Sequence, residues 1–184
     1  EELNENRHTR EFAMNMMNRP VSLDGGYWEE DDILIDEPES FGNTIISLDP
    51  AVTTKRTSDY TGIVVMSRGS DNHLYVRHAE QVKYTSTQLK EHVDMLIEQY
   101  GAKVLYIETN QGGDVWKDVF AGIKAKFVAI RQTEKKELRA AAAHNVYVSK
   151  SGPKVRHVRH FPNLEEQMLA FPRVPHDDMV DALT

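Results

Sequence analysis

Three carboxylate-bearing segments stand where a folded chain could hold them rigidly. Asp49 ends the apolar run Ile45-Ile46-Ser47-Leu48 and is followed by Pro50. A carboxylate at the tip of a buried strand, locked by the next residue, suits a fixed ligand, although Asp-Pro also simply starts turns. Asp59, just ahead of the next apolar run, reads as a turn cap or a further ligand. Glu108 ends Val104-Leu105-Tyr106-Ile107 and leads through Asn110 into Gly112-Gly113, where the backbone must pass close to a substrate or a neighbouring strand. Its other reading is a charge that neutralises the start of the next helix. In Pro175-His176-Asp177-Asp178-Met179-Val180-Asp181-Ala182-Leu183, helical spacing puts the three aspartates within an arc of about 100° and groups Met179, Ala182 and Leu183 on the other side. An acidic first turn would account for Asp177 and Asp178, but less well for Asp181.

Together these segments describe a chemistry. The chain has no cysteine, so a metal here must be held by carboxylates or imidazoles, and an all-oxygen set is what Mg²⁺ or Mn²⁺ prefers. Such a site can hold two cations about 3.5–4 Å apart, one activating water and one stabilising the leaving oxygen of a phosphodiester. A domain whose carboxylates are all caps and surface would need three coincidences in the right order.

The elements that must position these residues are legible from residue 43 onward. Residues 44–48, 61–66 and 73–79 read as three strands joined by short links, an antiparallel meander. Thr85 and Gln88 form a capping box ahead of Leu89, Val93, Ile97 and Tyr100 at helical spacing, with Gly101 as the stop. A strand over 103–107, a helix carrying Val115, Trp116, Val119, Phe120 and Ile123, and a strand over 126–130 follow. The order predicts an α/β fold: a mixed sheet, with the meander and parallel strands together, flanked by helices. Beyond it come a helix over 134–143, a basic stretch over 150–159, a short helix over 164–169 and a last helix from about His176. Residues 1–42 are polar and Met-rich, with turn signals at Pro20, Gly25-Gly26 and Pro38, and read as a linker or small subdomain. The opening on Glu1 and the stop within a helical pattern suggest a piece of a longer protein.

Composition bounds the class. The net charge of −7 argues weakly against binding nucleic acid through bulk electrostatics, yet a site that gathers carboxylates around cations adds negative charge for a reason. No apolar run reaches the length needed to cross a bilayer, and the first residues lack the pattern of a secretory signal. No membrane partner is expected. No G-x-x-x-x-G-K-[ST] loop occurs, so no ATP site is expected either.

The ordered set Ser47-Leu48-Asp49-Pro50, Ser58-Asp59-Tyr60-Thr61-Gly62, Tyr106-Ile107-Glu108-Thr109-Asn110, Leu164-Glu165-Glu166-Gln167-Met168-Leu169-Ala170-Phe171-Pro172 and His176-Asp177-Asp178-Met179-Val180-Asp181-Ala182 resembles the nuclease domain of the large terminase subunit of tailed double-stranded DNA phages. The resemblance implies a ribonuclease H-like fold over 43–184 and two-metal cleavage of concatemeric double-stranded DNA during genome packaging. It implies that Asp49, Glu108 and Asp178 are catalytic metal ligands, with Asp181 as a further one. Asp59, Asn110, His176 and Asp177 would support them. Residues 1–42 would join a packaging ATPase, and the whole protein would meet a small terminase subunit and a portal in the host cytoplasm. Lys55, Arg56, Lys135, Lys136, Arg139, Lys154 and Arg156 are candidate phosphate contacts. A junction-resolvase-like or transposase-like nuclease of the same fold, and a non-catalytic module docking on DNA or portal, are the competing readings.

Overall fold

The computed structural model describes residues 27–51, 60–109, 113–174 and 176–184. β1 (Phe41–Asp49), β2 (Thr61–Gly69) and β3 (Leu74–Val82) form the expected antiparallel meander. After it come α1 (Ser86–Tyr100), β4 (Val104–Glu108), α2 (Gly113–Val119) and β5 (Lys126–Ile130). β4 pairs parallel to β1 and β5 parallel to β4. The chain then runs through α3 (Lys136–Tyr147), β6 (Val155–His157), α4 (Pro162–Ala170) and α5 (Asp178–Leu183). The six strands lie in the order β5-β4-β1-β2-β3-β6.

The period of two along each strand sorts the side chains onto the two faces. Ile46, Leu48, Ile63, Val65, Leu105 and Ile107 pack under α1 and α2, with Leu89, Val93 and Leu96 of α1 and Phe120 just after α2. Val64 and Val76 face the other way, into a second core built with α3, α4 and α5 from Tyr147, Leu164, Met168, Phe171, Met179 and Val180. α1 is closed as its sequence predicts. Thr85 Oγ1 accepts from the Gln88 amide at 3.3 Å, Gln88 Oε1 accepts from the Thr85 amide at 3.0 Å, and Gly101 takes the left-handed conformation at φ +65°.

Two features depart from expectation. The basic stretch over 150–159 contains β6, a strand too short for its alternation to stand out, which joins the sheet parallel to β3. Ahead of β1, Trp28 is 2% exposed, with its ring edge-on to Tyr147 and Phe171 at centroid distances of 6.1 and 6.4 Å. Ile35 bridges to His157, and the His157 amide donates to the Leu34 carbonyl at 2.8 Å. This segment covers the β6 edge, which would otherwise expose unpaired backbone groups.

Candidate active site

Parity places the first two carboxylates. On β1 the buried Ile46 and Leu48 face α1, so Asp49 points to the opposite face, towards α5; on β4, Leu105 and Ile107 do the same for Glu108. Leu48 pairs with Ile107 in the parallel register, which puts Asp49 and Glu108 side by side one residue further on. The turn after Asp49 is tied down by Pro50, which is buried, and by the Ala51 amide, which donates to Thr61 Oγ1 on β2 at 3.1 Å.

α5 brings the other carboxylates to the same face. Asp178 and Asp181 are each 8% exposed, an unusual degree of burial for aspartate. The helix lies directly on β2 at Gly62, where a Cβ would stand 2.0 Å from the Asp178 carbonyl oxygen. Gln167 of α4, also buried, holds the first turn: its Oε1 accepts from the Met179 amide at 3.0 Å, and its Nε2 donates to Gln81 Oε1 on β3 at 2.7 Å. One side chain thus satisfies an otherwise orphaned helix N–H and anchors it to the sheet. Gln167 lies in one of the sequence segments quoted above, but nothing in local sequence marks its role, because both of its partners are remote along the chain.

The charges are unevenly balanced. Burial, with the charges of Asp181, Glu108 and Asp178, pushes the Asp49 carboxyl up to about 8, against some relief from Lys136. Burial also raises Asp181, although Lys136 and Arg139 oppose it. Lys136 Nζ donates to both oxygens of Asp177 at 3.1 and 3.2 Å and pairs with Asp181. Burial alone would lower the Lys136 ammonium, but Asp181 and Asp177 hold it well above the usual range. Arg139 Nη2 bonds Asp181 Oδ1 at 2.9 Å and lies 3.7 Å from Glu108 Oε2.

The candidate phosphate contacts are therefore redistributed. Arg139, expected on a surface open to DNA, is 7% exposed and faces carboxylates. Lys136 is half-exposed but engaged by Asp177 and Asp181. Both follow from α3 lying beside α5. Lys154 and Arg156 flank the start of β3, at the far end of the sheet from Asp49, because β6 pairs with Leu74–Val76; there Arg156 is bonded to Asp36 and lies 3.6 Å from Asp71. Lys135 remains exposed at the start of α3. His176 is exposed, edge-on to the Tyr60 ring at 5.4 Å, and Asp177 faces Lys136 rather than His176. Lys55, Arg56, Asp59 and Asn110 lie outside the described residues.

Chemically the cluster is an all-carboxylate donor set carrying more negative charge than Lys136 and Arg139 offset. It is the kind of site that hard divalent cations fit. Among the described residues no three His, Asp or Glu side chains are already gathered into a coordination cage, and the two protein cations stand among the carboxylates. A depression of about 350 Å³ opens beside Glu108 and Asp181, lined also by Ser47, Tyr106 and Gln132.

The family model for the terminase RNaseH-like domain matches residues 46–184. No curated protein sequence matches the chain. Among solved structures, the large terminase nuclease from thermophilic phage G20c is similar at 14% identity, covering 83% of this chain and 91% of that one with a TM-score of 0.59. That nuclease has also been solved with bound magnesium. The nuclease domain of the large terminase subunit gp2 of bacterial virus Sf6 is similar at 12% identity, covering 79% of this chain and 87% of that one, TM-score 0.54. The human cytomegalovirus terminase nuclease domain, Mn soaked and inhibitor bound, is similar at 16% identity, with 83% and 88% covered and a TM-score of 0.55. The mixed sheet flanked by helices is the ribonuclease H-like fold, as expected.

Proposed function

Since the chain belongs to the terminase RNaseH-like domain family, we propose that it is a metal-dependent endonuclease that cuts concatemeric double-stranded DNA during viral genome packaging. The observation that carries this reading is the convergence of Asp49, Glu108, Asp178 and Asp181 from two strand tips and one helix onto one face, with the Asp49 carboxyl pushed up to about 8 by burial and its neighbours. A fold that holds like charges together at that cost suits a site completed by cations. The magnesium and manganese of the G20c and cytomegalovirus structures support the same choice of ion.

Asp49, Glu108 and Asp178 would hold Mg²⁺ or Mn²⁺, two ions in this reading. When bound, such cations activate water and stabilise charge on the phosphate. The reaction adds water across a P–O bond: the hydroxyl goes to phosphorus and the proton to the departing oxygen. Strands β1 and β4 keep Asp49 and Glu108 fixed. Asp181, engaged by Lys136 and Arg139, acts chiefly by positioning those cations, and Arg139 in turn sits close to Glu108. Residues 1–42 would lead from a packaging ATPase, and Trp28, near the end of that stretch, packs into the second core. The whole protein would meet a small terminase subunit and a portal in the host cytoplasm.

The test is plasmid cleavage with Mg²⁺, Mn²⁺, Ca²⁺ or EDTA, beside an Asp178→Ala protein shown by circular dichroism to be folded. Cutting that requires Mg²⁺ or Mn²⁺ and is lost in the variant is expected. Failure to cut with any ion would sink the reading for this domain, and cutting confined to branched DNA would move it to a resolvase-like nuclease.

A further inference from the structure

A nuclease centre rich in carboxylates must still hold a polyanion, and among the described residues two cations beside the carboxylates are committed: Lys136 and Arg139 are engaged by Asp177, Asp181 and Glu108. At the same end of the sheet stands a cation held in a different way. Thr61 pairs with Val82, so Tyr60 just before β2 and Lys83 just after β3 emerge together beside the Asp49–Gly62 pair. Lys83 Nζ lies 4.3 Å from the centroid of the Tyr60 ring, and the His176 ring meets the same ring edge-on at 5.4 Å, two residues before Asp178. Lys83 and His176 are exposed and Tyr60 is half-buried. Lys83 enters no ion pair among the described residues.

An aromatic ring positions an ammonium without neutralising it, whereas a carboxylate consumes its charge. Lys83 is thus restrained before any ligand arrives, so less side-chain freedom is lost on binding. A cation restrained over a ring that is itself packed against a second ring is a composition with which proteins hold a nucleic-acid strand. We propose that Lys83, Tyr60 and His176 form a contact site for a backbone phosphate of the DNA next to the carboxylate centre, with Lys83 supplying the charge, the Tyr60 ring restraining it and His176 packing against that ring. The site rests on the nuclease reading for its ligand and extends it to residues that no charge count in the sequence picks out.

The experiment is fluorescence anisotropy of a labelled 30-base-pair duplex in Ca²⁺ over a range of salt, alongside the plasmid assay. Lys83→Ala is expected to weaken binding roughly tenfold for every duplex sequence and to reduce the slope of log K against log salt by about 0.9, the share of one phosphate contact. Lys83→Arg should keep most of the affinity, and Tyr60→Leu should lose part of it with the charge still present. Lys124→Ala, at the opposite end of the sheet and paired with Glu98, should bind as the parent does. Parent affinity and slope in Lys83→Ala would overturn the contact site while leaving a cutting parent a nuclease. A parent that binds with the expected Lys83 dependence but never cuts would overturn the nuclease reading and keep the contact site, a parent that cuts but binds no duplex overturns the contact site, and one that neither binds nor cuts overturns both.

Discussion

The Asp178 carbonyl lies directly over Gly62, so that a helix bearing two buried carboxylates rests on the strand paired with Asp49, with no side chain between them. A methyl group at Gly62 would stand 2.0 Å from that oxygen, and backbone cannot yield as a flexible side chain can. Gly62→Ala should therefore displace the start of α5. The expected outcome is loss of cleavage by about a hundredfold or more, since misplacement of about 1 Å is enough for that, with far-ultraviolet circular dichroism preserved. Parent-like cleavage would show that the close approach is dispensable.

Gln167 holds the same helix from the side. Gln167→Leu leaves the Met179 amide and Gln81 without their partner and should cost about 1–3 kcal/mol in urea unfolding. It should also weaken Mn²⁺ binding measured by calorimetry. Gln167→Glu keeps the acceptor for Met179 and should recover Mn²⁺ affinity in part. Unchanged Mn²⁺ affinity in the leucine variant would confine Gln167 to a purely structural role.

Burial and the neighbouring Asp181, Glu108 and Asp178 push the Asp49 carboxyl up from its ordinary 3.8 to about 8 in the folded chain. Between those values the folded state binds a proton that the unfolded state does not, so this group's contribution favours folding at low pH and is lost as pH rises towards 8. Asp49→Asn should raise the Tm of the metal-free protein at pH 8–9 and leave it nearly unchanged only at about pH 4 and below. The parent should regain stability at high pH when Mg²⁺ is added, and the variant should not. A Tm for Asp49→Asn below the parent's at pH 9 would contradict the charge argument.

Lys136 relieves part of that repulsion, so Lys136→Met should lower the metal-free Tm at pH 8 and enlarge the Tm gain on adding Mg²⁺. A Tm that does not respond would mean that the ion pairs with Asp177 and Asp181 contribute nothing in solution.

Far from the carboxylates, Tyr147, His157 and Glu165 form a buried chain. Glu165 accepts from His157 Nδ1 at 3.0 Å, which leaves Nε2 to accept from the Tyr147 hydroxyl at 2.9 Å. Burial holds the imidazole below its usual range, consistent with a neutral ring. Tyr147→Phe should cost about 1–3 kcal/mol in urea and leave Mn²⁺ affinity at the parent value. A change in metal affinity would tie this core to the site.

Much of this molecule is decided locally. Alternation and capping set β1 to β5 and α1, because burial of one face and satisfaction of helix ends are settled within a few residues of chain. The same local reasoning marked Asp49, Glu108, Asp178 and Asp181, since strand tips and helix faces show in the spacing of apolar residues. Three things were legible only after folding. β6 was hidden because three residues carry too little periodicity. Gln167 and Gly62 had no readable role because their partners, Met179, Gln81 and Asp178, are brought to them by packing. The partners of three cations were hidden for the same reason: in sequence every lysine and arginine is a free charge, whereas the fold committed Lys136 and Arg139 to carboxylates and carried Arg156 to the other end of the sheet. Sequence by itself determined which groups could do chemistry. Tertiary structure decided which of them meet, because Coulomb and hydrogen-bonding forces act over a few ångströms of space whatever the separation along the chain.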